Sequence, residues 1–306
     1  MHKQITAIIG ILILIGLTGC GQVDETPDVN PYIGGTKGII STFGEMGVLN
    51  DVTGVNEIFT EESFPIETTI GNKGEYELDV GELTITLKGI NLNEYSGIVT
   101  SGALSNTELI EKVSEFNALG GEIELDFTPG TEDAIYTPTL NVEVYDVDVF
   151  GEVIYHYKTF SVVPKVCYKE NLQDNRICDV EETKQVFSSG APIQIVAAEE
   201  KSAGTGKIAI EYTLENVGGG DVTLPGAEFD RRYDQVGILV DNEAFECKGP
   251  GGRLGTARFD SAGKATIICK LKTALEEGTL YTAQLGLTLD YEYRELIQES
   301  IRIRGQ

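Results

Sequence analysis

A chain of 306 residues with 49 acidic and 23 basic side chains carries a formal charge of −26 and has a pI near 4.3. Such a body repels nucleic acids and anionic lipid surfaces, so neither is an expected partner. Hydrophobic residues at 41% and charged residues at 24% exclude a wholly disordered chain, and the length suits two domains better than one.

At the start, His2 and Lys3 precede an apolar run from Ile5 to Leu17. Its 13 residues rise about 20 Å as a helix, short of a bilayer core of about 30 Å, which marks a signal h-region rather than a permanent span. The run ends in Leu17-Thr18-Gly19-Cys20, which resembles a lipobox. That resemblance implies cleavage before Cys20 and lipidation of its sulfur; an ordinary signal peptide or a short uncleaved anchor is the other reading. Residues 1–20 are thus expected to be a signal or anchor helix, and residues 21–55 a tether and docking segment. Residues 21–31 are polar with two prolines. Residues 32–63 hold Ile39, Ile40, Phe43, Met46, Val48 and Leu49, which suit packing along the first module as an edge strand.

One module is written twice. Residues 66–74 (IETTIGNKG) match residues 210–218 (IEYTLENVG) at Ile, Glu, Thr, Asn and Gly. Tyr136-Thr137 answers Tyr281-Thr282 at nearly the same distance downstream. The matched segments alternate apolar and polar residues with period two, as do 83–87, 123–127, 140–149 and 153–163 in the first copy. Segments 236–240, 265–271, 281–291 and 295–303 repeat the pattern in the second. Asn-x-Gly after each matched strand supplies residues that tolerate positive φ in a tight turn. The expected fold class is all-β: two tandem immunoglobulin-like antiparallel β-sandwiches at 56–163 and 193–306. Tyr136 and Tyr281 occupy the place of a tyrosine corner. One helix is expected after Ser105, with Leu109, Ile110, Val113 and Phe116 on one face and Gly120-Gly121 as its stop.

Four cysteines remain: Cys167, Cys178, Cys247 and Cys269. They allow three pairings, and the shortest loops favour Cys167–Cys178 and Cys247–Cys269. Zinc sites usually use Cys-x2–4-Cys pairs, and none is present. The first pair would close a connector at 164–192 between the sandwiches.

Leu214–Val222 (LENVGGGDV) resembles the CARDB-type adhesion domain, an immunoglobulin-like module of prokaryotic surface proteins. PYIGGTKGI, FPIETTIGNKGEY, YHYKTFSVVPKVC, GAPIQIV and LENVGGGDV together look like uncharacterised membrane-anchored archaeal proteins with two such sandwiches. That second resemblance implies architecture and address, and no activity.

Catalytic chemistry finds little to use. Beyond the signal segment the one histidine is His156, read as a plain strand histidine. Gly204-Thr205-Gly206-Lys207 lacks the rest of a phosphate loop and reads as a hairpin turn. Asp146 and Asp148, at strand spacing, are the weak calcium candidates, followed by Asp174 and Asp179; a solvated anionic face is the default. Tyr155 with Tyr157 and Tyr291 with Tyr293 suit either a sugar platform or core packing, and alternation favours the core. No enzyme and no cofactor are expected. The expected function is that of an extracytoplasmic, membrane-anchored lipoprotein at the cell surface with a structural, adhesive or protein-binding role. Its partners would be the membrane, through the N-terminal anchor, and other envelope proteins. A carbohydrate- or ligand-binding accessory subunit is the alternative.

Overall fold

The computed structural model describes residues 29–130, 133–174 and 176–305; the expected signal segment with Cys20, and residues 21–28 of the expected tether, lie outside the described residues. The described chain is all-β, with several antiparallel sheets, short 3-10 turns and no α-helix. Buried side chains from both halves merge into one hydrophobic cluster.

The two strands that carry Asn-x-Gly are paired alike. In the first half Glu67–Asn72 lies between Ile39–Phe43 and Glu122–Asp126, with Ile39 opposite Asn72 and Glu122 opposite Gly71. In the second half Ile208–Asn216 lies between Ile193–Ser202 and Lys264–Leu271, with Ile193 opposite Asn216 and Lys264 opposite Glu215. Even the exit bonds agree: Asn72 N–H donates to Gly121 O at 2.9 Å and Asn216 N–H to Gly263 O at 2.8 Å. Ile39–Phe43 pairs with Glu67–Asn72, so residues before 56 contribute a strand to the sheet of the first half.

Two long strands tie the halves together. Val144–Lys169 and Leu280–Arg304 pair antiparallel from Val144 opposite Arg304 to Lys169 opposite Leu280. The first long strand pairs at Phe150–Tyr155 with Leu83–Lys88 of its own half, then at Ser161–Val162 with Phe187–Ser188 beyond it. The second pairs at Leu287–Asp290 with Gly237–Val240 of its own half, then runs parallel to Asn56–Phe59 of the first half at Ile301–Arg304. Each half therefore gives the far end of its last long strand to the other. The expected connector at 164–192 is corrected accordingly. Residues 164–169 continue the first long strand, and Glu182–Lys184 and Phe187–Ser188 are edge strands rather than linker.

Four tyrosines sit where the long strands cross. Tyr155 is opposite Tyr293 and Tyr157 opposite Tyr291, all four fully buried, with ring centroids 5.7 and 6.4 Å apart across the strands. A buried ring of this size contributes on the order of 2 kcal/mol. Every hydroxyl has a partner. Tyr157 Oη donates to Asn72 Oδ1 at 3.2 Å and Tyr293 Oη to Asn216 Oδ1 at 2.8 Å. Tyr155 Oη donates to Glu295 at 3.0 Å, and Tyr291 Oη shares a 2.9 Å bond with Thr159 Oγ1. Burial pushes all four phenols up.

This arrangement explains the Asn-x-Gly motif differently from the sequence reading. Neither Gly74 nor Gly218 has a positive φ. A Cβ on Gly74 would lie 2.1 Å from Tyr157 Oη, and one on Gly218 would lie 2.4 Å from Tyr293 Oη. The glycine makes room for the phenol that the asparagine binds. The other matched pair is not equivalent. Tyr136 is buried in a short strand between Ser63–Phe64 and Tyr95–Ser96, whereas Tyr281 is half-exposed and stacks on Tyr168 with centroids 4.9 Å apart. Short alternating strands share composition without sharing position.

The expected helix after Ser105 is absent. Ala103–Ser105 is strand, Ile110 bridges Leu78, and Phe116 is fully exposed. Buried Asn106 accepts from Gly81 N–H and Leu83 N–H and donates to Asp79 O and Glu108 O. Those side-chain bonds to backbone hold the segment extended, against any local helical preference.

Candidate functional site

A groove lies on the outer face of the second half. Lys264–Leu271 buries alternate residues and turns Lys264, Thr266, Ile268 and Lys270 outward. Its neighbour Phe245–Lys248 is the edge strand of the five-stranded sheet, and the Cys247–Cys269 disulfide joins directly opposite residues of the two. After Lys248 the chain turns through Pro250-Gly251-Gly252, where both glycines have positive φ, and forms a wall. Between wall and sheet lies a groove of about 650 Å³.

Its chemistry is two-sided. Ile268, Pro250 and the lysine stems give an apolar floor, with Ile268 45% exposed. Lys207, Lys248, Lys270 and Lys272 bring four ammonium groups, against one carboxylate, Glu246. Lys207 Nζ donates to Lys272 O and Lys272 Nζ to Glu243 O, each at 2.7 Å, which fixes their stems along the groove. Lys248 pairs with Glu246 at 2.6 Å and holds that carboxyl below its ordinary value. Lys270 is exposed and has no partner among the described residues.

The setting makes these cations stand out. Residues 56–163 hold 21 acidic and 4 basic side chains, a net of −17, while residues 193–306 hold 18 and 13, a net of −5. The strand equivalent to Lys264–Leu271 in the first half is Glu122–Asp126, so Glu122 occupies the place of Lys264 and Glu124 that of Thr266. Alternation in 265–271 predicts a strand and nothing more. Lysines at alternate positions, in a chain so poor in cations, were the available signal.

Two ion clusters lie elsewhere, the first partly exposed and the second buried. His156 is not a plain strand histidine: its Nδ1 lies 2.8 Å from Glu82 Oε1 and its Nε2 2.6 Å from Asp290 Oδ1. Burial raises the Glu82 carboxyl, but bonds from His156, the Asp79 backbone and Tyr76 outweigh it and hold the group low. Asp290 belongs to the second long strand and Glu82 to the first half, so the imidazole pins the halves together. Glu200, fully buried, takes Cys167 N–H at 3.0 Å and Lys184 Nζ at 3.0 Å. Burial still pushes its carboxyl up to about 7.

The remaining expected residues fall as follows. Cys167–Cys178 and Cys247–Cys269 are both bonded. Asp146 and Asp148 share a face, but Asp146 is paired with Arg302 at 2.6 Å and Asp148 accepts from Ser300 at 2.6 Å. Asp174 is held down to about 2 by Arg176. Among the described residues no group of three His, Cys, Asp or Glu side chains is arranged to hold a metal ion. Tyr155, Tyr157, Tyr291 and Tyr293, weighed as a sugar platform, all belong to the core. Gly204–Lys207 is the hairpin between Ile193–Ser202 and Ile208–Asn216, closed by Ala203 N–H to Lys207 O at 2.9 Å. No family model, curated protein or solved structure matches the chain.

Proposed function

We propose that this chain is a non-enzymatic protein-binding component of the cell envelope, held at the outer face of the membrane by lipid on Cys20. Its two immunoglobulin-like modules, bound by exchanged strands, act as one stiff body that presents the lysine-lined groove to an acidic protein partner. A single observation carries the reading: four ammonium groups around an apolar floor, on a chain of net charge −26. Such a groove attracts anionic side chains against the field of the rest of the body, and its apolar floor favours a peptide over a bare ion. The resemblance of Leu214–Val222 to an adhesion module points the same way.

Calorimetric titration of the full chain, in detergent, with a heptaglutamate peptide tests the proposal. Lys248→Gln with Lys270→Gln is expected to weaken binding about tenfold, the equivalent of roughly 1.4 kcal/mol for two charge-assisted contacts. Equal affinity for the variant and the parent would remove the groove from consideration.

A further inference from the structure

We propose that the acidic partner is a second copy of this chain, whose edge strand Glu122–Asp126 seats in the groove. The proposal rests on the reading of the groove as an acidic-peptide site and names its occupant. Three observations carry it. Glu122–Asp126 is the outer strand of its three-stranded sheet, so one side of its backbone is free to approach another molecule. Glu122 and Glu124 are exposed and have no cationic partner among the described residues. This strand is also the counterpart, by its pairing, of Lys264–Leu271, with Glu122 standing where that strand has Lys264, so one half shows an acidic strand where the other shows the strand that carries Lys270 into the groove.

The contact is heterologous, because the surface given by one copy differs from the surface offered by the next. Repeated, it builds open chains or rings rather than closed twofold dimers. Ionic strength sets its strength from both sides. At about 0.01 M the Debye length is about 30 Å, and whole-body repulsion between copies opposes contact. At about 1 M it falls to about 3 Å, and the lysine–glutamate attraction is lost. Assembly is therefore greatest at an intermediate ionic strength.

The test uses the full chain in detergent micelles, prepared as an equal mixture of ¹⁴N- and ¹⁵N-labelled protein. A carbodiimide joins carboxylates to amines that touch. Mass spectrometry is expected to find mixed-isotope links from Glu122 or Glu124 to Lys248 or Lys270. Light scattering at about 0.15 M salt is expected to show species above the monomer. Glu122→Gln with Glu124→Gln, and separately Lys248→Gln with Lys270→Gln, should each be monomeric, while an equal mixture of the two variants should stop at a dimer. Absence of mixed-isotope links at these residues overturns the proposal, as does assembly that survives both pairs of substitutions. If heptaglutamate still binds the groove of a monomeric parent, self-assembly fails and the binding role stands. If the peptide does not bind either, both fall.

Discussion

Gly74→Ala and Gly218→Ala are each expected to lower unfolding free energy by about 3 kcal/mol or more, in contrast to Gly44→Ala. The added methyl at position 74 meets Tyr157 Oη at 2.1 Å, Gly190 O at 2.5 Å and Lys37 O at 2.7 Å. At position 218 it meets Tyr293 Oη at 2.4 Å and Pro192 Cβ at 2.7 Å. Overpacking of this kind costs about 1–3 kcal/mol, and a buried phenol pushed off its asparagine adds about 1–3 kcal/mol. At Gly44 the nearest atom is 3.6 Å away, an ordinary contact, so that substitution is the control. Urea midpoints of the three variants give the comparison. Similar midpoints would mean that the asparagine–glycine–tyrosine hubs do not hold the halves.

Lys184→Ala is expected to cost about 3 kcal/mol at pH 8, and far less near pH 4.5, because it strips the buried Glu200 carboxylate of its counter-ion. Lys184 Nζ lies 3.0 Å from Glu200, whose side chain is fully enclosed, and also donates to Asp179 O at 2.9 Å. The pH dependence follows from Glu200. Its carboxyl is raised from 4.5 to about 7 in the folded chain, so the native state holds more protons than the unfolded state between those values. Stability from this group is therefore highest below 4.5, falls as pH rises, and reaches its full penalty above about 7. Removing the lysine deepens that penalty where Glu200 is charged, and Lys184→Ala with Glu200→Gln should recover most of it. A loss of equal size at both pH values would assign the effect to the bond that Lys184 makes with Asp179 O instead.

Much of the fold was legible because period-two alternation and the repeated Asn-x-Gly report directly on strands buried on one face. The disulfide partners were legible from loop length, and the hairpin at Gly204–Lys207 from its glycines. What stayed hidden was the direction of the long strands. The alternating segments 140–149 and 153–163 are separate in the sequence, yet Gly151 and Pro164 both lie inside one strand. Gly151 admits Ile297 and Ile85, which would lie 2.8 and 3.0 Å from a Cβ there. Pro164 sits at the bulge where the register shifts between Val163 and Val166, a place where a missing N–H is tolerated. In the second long strand no glycine or proline occurs from Leu287 to Arg304, and that unbroken run was the clue to a strand too long for one sandwich. His156 was undervalued because its two carboxylates come from positions 74 residues before and 134 residues after it. The groove was missed because Lys207, Lys248 and Lys270 converge only after the second half folds.

The account depends on the exchange of long-strand ends, and separating the halves measures it most directly. Residues 29–178, made alone, lack the Glu295–Arg304 segment that packs buried Ile301 and Ile303 into the first half. Residues 179–305, made alone, lack the Lys158–Lys169 segment that carries buried Val163, Val166 and Tyr168 into the second. Each fragment is expected to show no cooperative unfolding transition by circular dichroism in urea, and an equal mixture to recover the spectrum and the single transition of the intact chain. A cooperative transition in either fragment alone, with a midpoint near that of the whole protein, would contradict the account.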